Sequence, residues 1–341
     1  MCVNTHTGMI LYEELISMPR LLQAWEAFRK EKTNKRDVQV FSLRLEDNLF
    51  ALHSSLKREM YQHGIYESFW VNDPKRRHIH KACVTDRVLH HLLYSYLYEL
   101  FDSTFIYDSY SCRLDKGTHK GVERLVTFAR KESTNYTKAC WALQFDIKQF
   151  FASADHAILK QLLIQKISDE RILRLLSQVI DSFHSTVGPG KGIPLGNLTS
   201  QIFANIYLHE LDTYMKHTHK ARFYIRYADD GVVLSSSKQH LIEFILPIED
   251  FLQKHLSLSL HPRKVTIRKL SWGIDFLGYI VLPHYVLPRT KTKRRLLKRV
   301  READQSEASN QMIQSYLGYL SHAKAYTLEV LIKHITYEIT S

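Results

Sequence analysis

The sequence predicts an α+β fold, an antiparallel sheet backed by helices, and three observations carry that prediction. Residues 140–147 form a short apolar run bounded by polar residues, which reads as a buried strand ending near Asp146. Residues 222–234 read as two short strands around a turn rich in acids. The segments between them carry apolar residues at intervals of three and four, the period of an amphipathic helix.

Taken in order, residues 11–60 place Leu21, Leu22, Trp25 and Phe28, then Leu49, Leu52 and Leu56, at helical spacing, so the chain opens with a helical lead-in. Residues 66–79 alternate aromatic and basic side chains around Asn72-Asp73-Pro74, which suits a strand pair with a turn. Residues 89–101 are helical, with Thr85 as the predicted cap, and a basic glycine-containing loop follows at 112–119. After the strand at 140–147, residues 157–180 read as one helix. A glycine loop at 188–192 leads into a second helix at 198–217. Residues 241–255 are helical, 265–267 and 276–281 are strands, and a basic run after Pro288 opens a helical C-terminal segment. There is no internal repeat.

The 341 residues include 47 Lys and Arg against 35 Asp and Glu, a formal net charge of +12, which suits a polyanionic partner. A hydrophobic share of 45% with 24% charged residues excludes a disordered or low-complexity chain. Charges interrupt every apolar stretch before the roughly 18 residues a membrane span needs, and Glu13 and Glu14 break any signal-like core near Met1. A soluble, cytoplasmic protein with no membrane partner is expected. Cys2, Cys83, Cys112 and Cys140 form no C-x-x-C pair, so reduced and mostly buried thiols are expected rather than a zinc knuckle or a disulfide framework. The 19 histidines lack ligand spacing and are expected on solvated or RNA-facing surfaces.

Asp146 and the pair Asp229/Asp230 are far apart in sequence, yet a central strand beside a hairpin would gather all three carboxylates. Such a cluster needs a cation. Two Mg²⁺ ions about 4 Å apart would satisfy it and support in-line phosphoryl transfer. Magnesium shares its oxygen ligands with substrate phosphates, so few protein carboxylates suffice. Aspartates are also common at hairpin turns, and Tyr227-Ala228-Asp229-Asp230 alone does not separate the two readings.

The flanking motifs separate them. Phe145-Asp146-Ile147-Lys148-Gln149-Phe150-Phe151, then residues 192–201, then Tyr227 to Asp230, then residues 260–264 and 273–279 occur in order, and together they resemble a reverse transcriptase over about residues 70–320. Among reverse transcriptases the chain resembles bacterial enzymes of the group II intron-like lineage, and especially those of diversity-generating retroelements, through residues 108–119, 192–201 and 316–323. The resemblance implies a right-hand polymerase, with an N-terminal helical lead-in at 1–65, fingers at 66–139, a palm with the antiparallel sheet at 140–284 and a short basic helical thumb at 285–341. No ribonuclease H, maturase or endonuclease segment is expected.

Carried over by motif position, Asp146, Asp229 and Asp230 resemble the metal-holding acids, with the main-chain oxygen of Ile147 completing a shell and Mn²⁺ able to replace Mg²⁺. Lys264 stands where such enzymes place a lysine that protonates pyrophosphate, although a lysine there also suits plain phosphate contact. Phe151 falls at the gate that excludes a 2′-hydroxyl, or is simply core. Lys75, Arg76, Arg77 and Arg87 lie in the basic fingers stretch, where cations would clamp a triphosphate. Leu195, Gly196 and Gln201 line the implied nucleotide pocket. Leu195 replaces the Gln and Gln201 the Pro of many relatives, a departure that implies error-prone copying of template adenines. Template and primer contacts are implied at Arg113 and Lys116, at the turn bearing Gly278 and Tyr279 with Phe276 and Tyr279 packed beneath it, and along Lys291, Arg294, Arg295, Lys298 and Arg299. Tyr110, Tyr224 and Tyr227 suit either base stacking or core packing.

The implied activity is RNA-directed DNA synthesis from a structured template RNA, through an RNA/DNA hybrid and dNTPs, with a small basic helical accessory protein as partner. The competing readings are a retron-like or defence enzyme acting against phage, and a catalytically idle RNA-binding scaffold.

Overall fold

A computed structural model describes residues 10–72 and 75–340 and shows two compact units. The first comprises Met1–Ile106, Ile147–Asp212 and Phe251–Ser259, and the second Tyr107–Asp146, Thr213–Asp250 and Leu260–Ser341. Both mix helices with antiparallel strands, the fold class that the sequence predicts.

In the first unit the lead-in is helical at Tyr12–Leu15, Met18–Arg29, Arg36–Ser42 and Leu45–Lys57, and Trp25, Phe28, Leu49, Leu52 and Leu56 are buried as their spacing requires. Strands β1 (Glu67–Val71) and β2 (Arg77–Lys81) pair antiparallel from Glu67↔Lys81 to Val71↔Arg77. The predicted turn residues Asp73 and Pro74 lie outside the described residues. The next helix is longer than expected, Val84–Phe101, and Thr85 sits within its first turn instead of capping it. The buried Asp86 carboxylate does the tying there, accepting from Tyr61 Oη at 2.8 Å and from the Gly64 amide at 3.0 Å.

The single helix expected over 157–180 is two, His156–Ile164 and Glu170–Asp181. Periodicity misses the break because the apolar pattern runs through it, while two aspartates act as caps: Asp155 accepts from the amides of Ala157 and Ile158, and Asp169 from those of Arg171 and Ile172. Asp169 also accepts from the Tyr12 amide at 2.8 Å, which fastens the lead-in to this helix.

In the second unit, strands β3 (Trp141–Asp146), β4 (Tyr224–Tyr227), β5 (Asp230–Ser235) and β6 (Thr266–Lys269) form a sheet in the order β4-β5-β3-β6, wholly antiparallel. The segment expected as one strand over 276–281 is a hairpin. Strands β7 (Ile274–Phe276), β8 (Tyr279–Leu282) and β9 (Tyr285–Pro288) form a second sheet, and Leu277 and Gly278, with φ of 51° and 91°, make the turn between β7 and β8. A helix Thr118–Glu132 buries Val122, Leu125 and Phe128 in the core shared by both sheets. The C-terminal helices Thr290–Arg301, Glu307–Leu320 and Tyr326–Thr340 pack around Leu296, Val300, Ile313, Leu320 and Ile332.

Two expectations about side chains are corrected. Of the described cysteines only Cys140 is buried, since Cys83 is exposed and Cys112 half-buried. The histidines are not confined to surfaces: His90 and His156 are buried, and desolvation holds the His90 imidazole down to about 3.

Gly231 pairs directly with Phe145 across β5 and β3, and a Cβ built there would stand 2.2 Å from the Phe145 ring. The ring occupies the space a side chain would need. Gly231→Ala should therefore destabilise the second unit by about 1–3 kcal/mol. Urea unfolding is the check, and an unchanged midpoint would show that the ring can move aside.

Candidate active site

The acids are brought together by strand register. Asp146 ends β3, Asp230 begins β5, and the two are direct cross-strand partners. Paired residues on neighbouring antiparallel strands have Cα atoms only about 4.5–5.5 Å apart. Asp229 precedes Asp230 in the two-residue loop between β4 and β5, so all three carboxylates share one end of the sheet. Leu143 and Phe145, buried on one face of β3, fix this register, because a slip by one residue would turn them to the other face.

Crowding is visible in the electrostatics. Desolvation and the neighbouring Asp229 and Asp146 carboxylates push the Asp230 carboxyl up to about 7, and Lys264 pulls it the other way. Residue 230 still reaches solvent, so screening reduces what the repulsion costs the fold. Lys264 Nζ donates to Asp146 Oδ2 at 2.7 Å. Its position is set by backbone bonds, since the His261 amide donates to the Asp146 carbonyl at 2.8 Å and the Lys264 amide to the His261 carbonyl at 2.9 Å.

Among the described residues, no three His, Cys, Asp or Glu side chains are drawn together closely enough to cage a metal on their own. An oxygen-only donor set with excess negative charge nevertheless fits a hard divalent cation that takes its remaining ligands from phosphates. The Ile147 side chain is buried, and its main-chain oxygen lies one residue beyond Asp146.

The residues expected around a nucleotide lie in the first unit. The Leu195 carbonyl accepts from the His80 amide at 2.9 Å, joining the loop before the helix Leu198–Thr213 to β2. Gly196 has φ of 107°, and a Cβ there would stand 2.6 Å from Ile79 Cγ2, so the loop and hairpin touch where only glycine fits. Asn197, which sequence reasoning passed over inside a motif it had recognised, is buried, and its Nδ2 donates to the His80 carbonyl at 2.7 Å. Gln201 is exposed on the helix Leu198–Thr213. Phe151 is half-buried while its neighbour Phe150 is fully enclosed. Lys75 and Arg77 are exposed on the hairpin, and Arg76 lies over the Trp70 ring, 4.2 Å from its centroid.

One expected contact is corrected. Arg87 pairs with Asp37 and lies over Phe28, so it braces helices instead of standing free to clamp a triphosphate. Although burial works against it, Lys81 and Arg87 hold the Asp37 carboxyl down to about 2. Tyr279 is fully buried with its hydroxyl donating to the Tyr319 carbonyl at 2.8 Å, so its ring packs beneath the Gly278 turn as its place in the motif implies. Tyr110 and Tyr224 are likewise core, and Tyr227 is half-buried beside the acids. Arg113 and Lys116 are tethered within their loop, Arg113 to the Ser109 carbonyl and Lys116 to that of Tyr107. On the helix Thr290–Arg301, Lys291, Arg294, Lys298 and Arg299 are exposed and Arg295 is half-buried, opposite the buried Leu296 and Val300.

The profile of the family described as reverse transcriptase (RNA-dependent DNA polymerase) matches residues 72–281. Protein YkfC of Escherichia coli is 24% identical over 241 residues, covering 60% of this chain and 63% of that protein. The group II intron-encoded protein LtrA of Lactococcus lactis is 26% identical over 180 residues, covering 50% of this chain and 28% of its own length. The chain thus spans less than two thirds of the curated relatives it matches. Among solved structures, apo telomerase from Candida tropicalis superposes with a TM-score of 0.54 at 12% identity, over 82% of this chain and 58% of that one. Telomerase from Candida albicans in complex with a fragment of telomeric RNA gives 0.51 at 11% identity, over 83% and 57%. At such identities the likeness shows the fold. Among the described residues no helix is long and apolar enough to cross a membrane.

A carboxyl that titrates at about 7 when folded and near 3.9 when unfolded takes up protons on folding. It therefore favours the fold at low pH, and stability falls as pH rises from about 4 to about 7. In chelator, the melting temperature of the wild type should fall across that window and that of Asp230→Asn should fall less. Equal pH slopes for the two proteins would remove like-charge crowding as the cause.

Proposed function

The chain belongs to the reverse transcriptase (RNA-dependent DNA polymerase) family, and from that premise we propose that it is an RNA-directed DNA polymerase whose chemistry is centred on Asp146, Asp229 and Asp230. The observation that carries the proposal is the cross-strand pairing of Asp146 with Asp230, which puts three acids from distant parts of the chain at one end of a sheet. Two Mg²⁺ ions, or Mn²⁺ in their place, held by these acids and the Ile147 carbonyl, would activate a primer 3′-hydroxyl and offset charge on the departing pyrophosphate. Lys264, held beside Asp146, supplies a cation and a proton donor for that leaving group.

The dNTP would bring its triphosphate to Lys75 and Arg77, both exposed, and its sugar to Phe151, whose partly open ring excludes a 2′-hydroxyl by volume. Leu195, Gly196 and Gln201 complete the pocket, and the exposed cations of Thr290–Arg301 follow the phosphates of the template-primer hybrid. The template is RNA.

The finer reading is error-prone synthesis of cDNA from a structured RNA in a diversity-generating retroelement, with a small basic helical accessory protein. It is supported by Leu195 and Gln201, which stand where many relatives carry Gln and Pro; the apolar Leu195 removes a side-chain hydrogen bond that would help hold the incoming nucleotide, which relaxes the choice between bases.

On a primed RNA template with Mg²⁺ and dNTPs, the wild type should extend the primer while Asp229→Asn and Asp230→Asn give no detectable product. Lys264→Ala should lower the rate by about 100-fold. Synthesis surviving both aspartate changes would discard the metal assignment. Sequencing the cDNA tests fidelity: errors should concentrate opposite template adenines and diminish in Leu195→Gln, whereas an even error spectrum would favour a phage-defence role for the same polymerase.

A further inference from the structure

The turn that carries Asp229 is bent at an alanine. Tyr227 and Asp230 are the last pair of β4 and β5, leaving Ala228 and Asp229 as the loop, and Ala228 has φ of 52°. A positive φ at the first residue of a two-residue hairpin loop is ordinarily the place of glycine, because a Cβ crowds the backbone there. A non-glycine residue persists in that region only when its surroundings impose it.

The carbonyl at the bend is held by Arg226. Its guanidinium is almost wholly buried, at 1% exposure, in a short strand where an aliphatic side chain would pack at less cost. Nη1 donates to the Ala228 carbonyl at 2.9 Å and Nη2 to Ser109 Oγ at 3.2 Å. The backbone of Arg226 is fixed as well, since its amide donates to the Asp108 carbonyl and its carbonyl accepts from the Tyr110 amide, both at 3.0 Å. Asp108 is itself buried and held by Arg124 at 2.8 Å and Lys216 at 3.0 Å. The planar fork reaches two acceptors at once, which a lysine ammonium on a flexible stem does not reproduce.

We propose that Arg226 is a positioning residue of the active site: by clamping the Ala228 carbonyl it fixes the Ala228–Asp229 peptide in a left-handed bend and so aims the Asp229 carboxylate at the cluster. The inference rests on the reading of Asp229 as a metal-holding acid. Arg226 touches neither substrate nor metal and acts through the turn.

The test uses the full chain and two readouts, Mn²⁺ binding by electron paramagnetic resonance without nucleic acid, and single-nucleotide incorporation on primed RNA. Arg226→Lys, which keeps the buried charge, should weaken Mn²⁺ binding about tenfold and lower kcat about 100-fold, with the KM for dNTP little changed. Glycine at position 228 adopts the bend without a clamp, so in an Ala228→Gly background the same Arg226→Lys change should cost no more than about threefold. The melting temperature should fall equally on changing Arg226 in either background. If Arg226→Lys folds poorly, Ser109→Ala removes the outer anchor alone and should show the same dependence on residue 228. Unaltered Mn²⁺ affinity and kcat in Arg226→Lys, or losses of equal size in both backgrounds, would overturn the positioning role while leaving the polymerase reading intact. A wild type that binds no Mn²⁺ and extends no primer would take down both.

Discussion

Mutual repulsion among carboxylates, overcome by the register of an antiparallel sheet, is the constraint from which the rest of the second unit follows. Three acids would separate if free to do so; here Asp146 and Asp230 are held opposite each other by the register of β3 and β5, which the buried Leu143 and Phe145 favour. The stress shows in the raised Asp230 carboxyl and in the recruitment of Lys264 as a resident countercharge. Phe145 lies against Gly231 and Arg226 donates to the Ala228 carbonyl, two contacts on the backbone beside the acids.

Much of this was legible in the amino-acid order, because β3 is short, apolar and terminated by an acid, and because the β4–β5 hairpin announces itself through alternation and a polar turn. Helix existence was read correctly over the lead-in for the same reason. Boundaries failed where a local hydrogen bond overrode periodicity: the Asp169 cap splits an apolar pattern that runs on without pause, and the Leu277-Gly278 turn folds back a run that looks like one strand. Side-chain roles were harder still. Nothing in the order of residues shows that Arg87 would meet Asp37, fifty positions upstream; that depends on contacts between distant segments. Asn197 and Arg226 each sat inside or beside a recognised motif and drew no notice, because a single polar residue in a turn or strand resembles a solvated one until its burial is known.

The first unit shows a different economy. Its hairpin and the loop before the helix Leu198–Thr213 are joined at His80, whose amide donates to the Leu195 carbonyl and whose carbonyl accepts from the Asn197 side chain. A fold shared with telomerases at 12% identity is consistent with an architecture carried largely by main-chain geometry.

The pairing of Asp146 with Asp230 also bears on how such a chain can change over evolutionary time. Side chains alternate faces along a strand, so gaining or losing one residue between Trp141 and Asp146, or between Asp230 and Ser235, would invert everything beyond it and separate the acids. Changes in length must then accumulate in the connecting segments, and lineages built on this sheet can grow elaborate at its margins while its interior strands keep the same count.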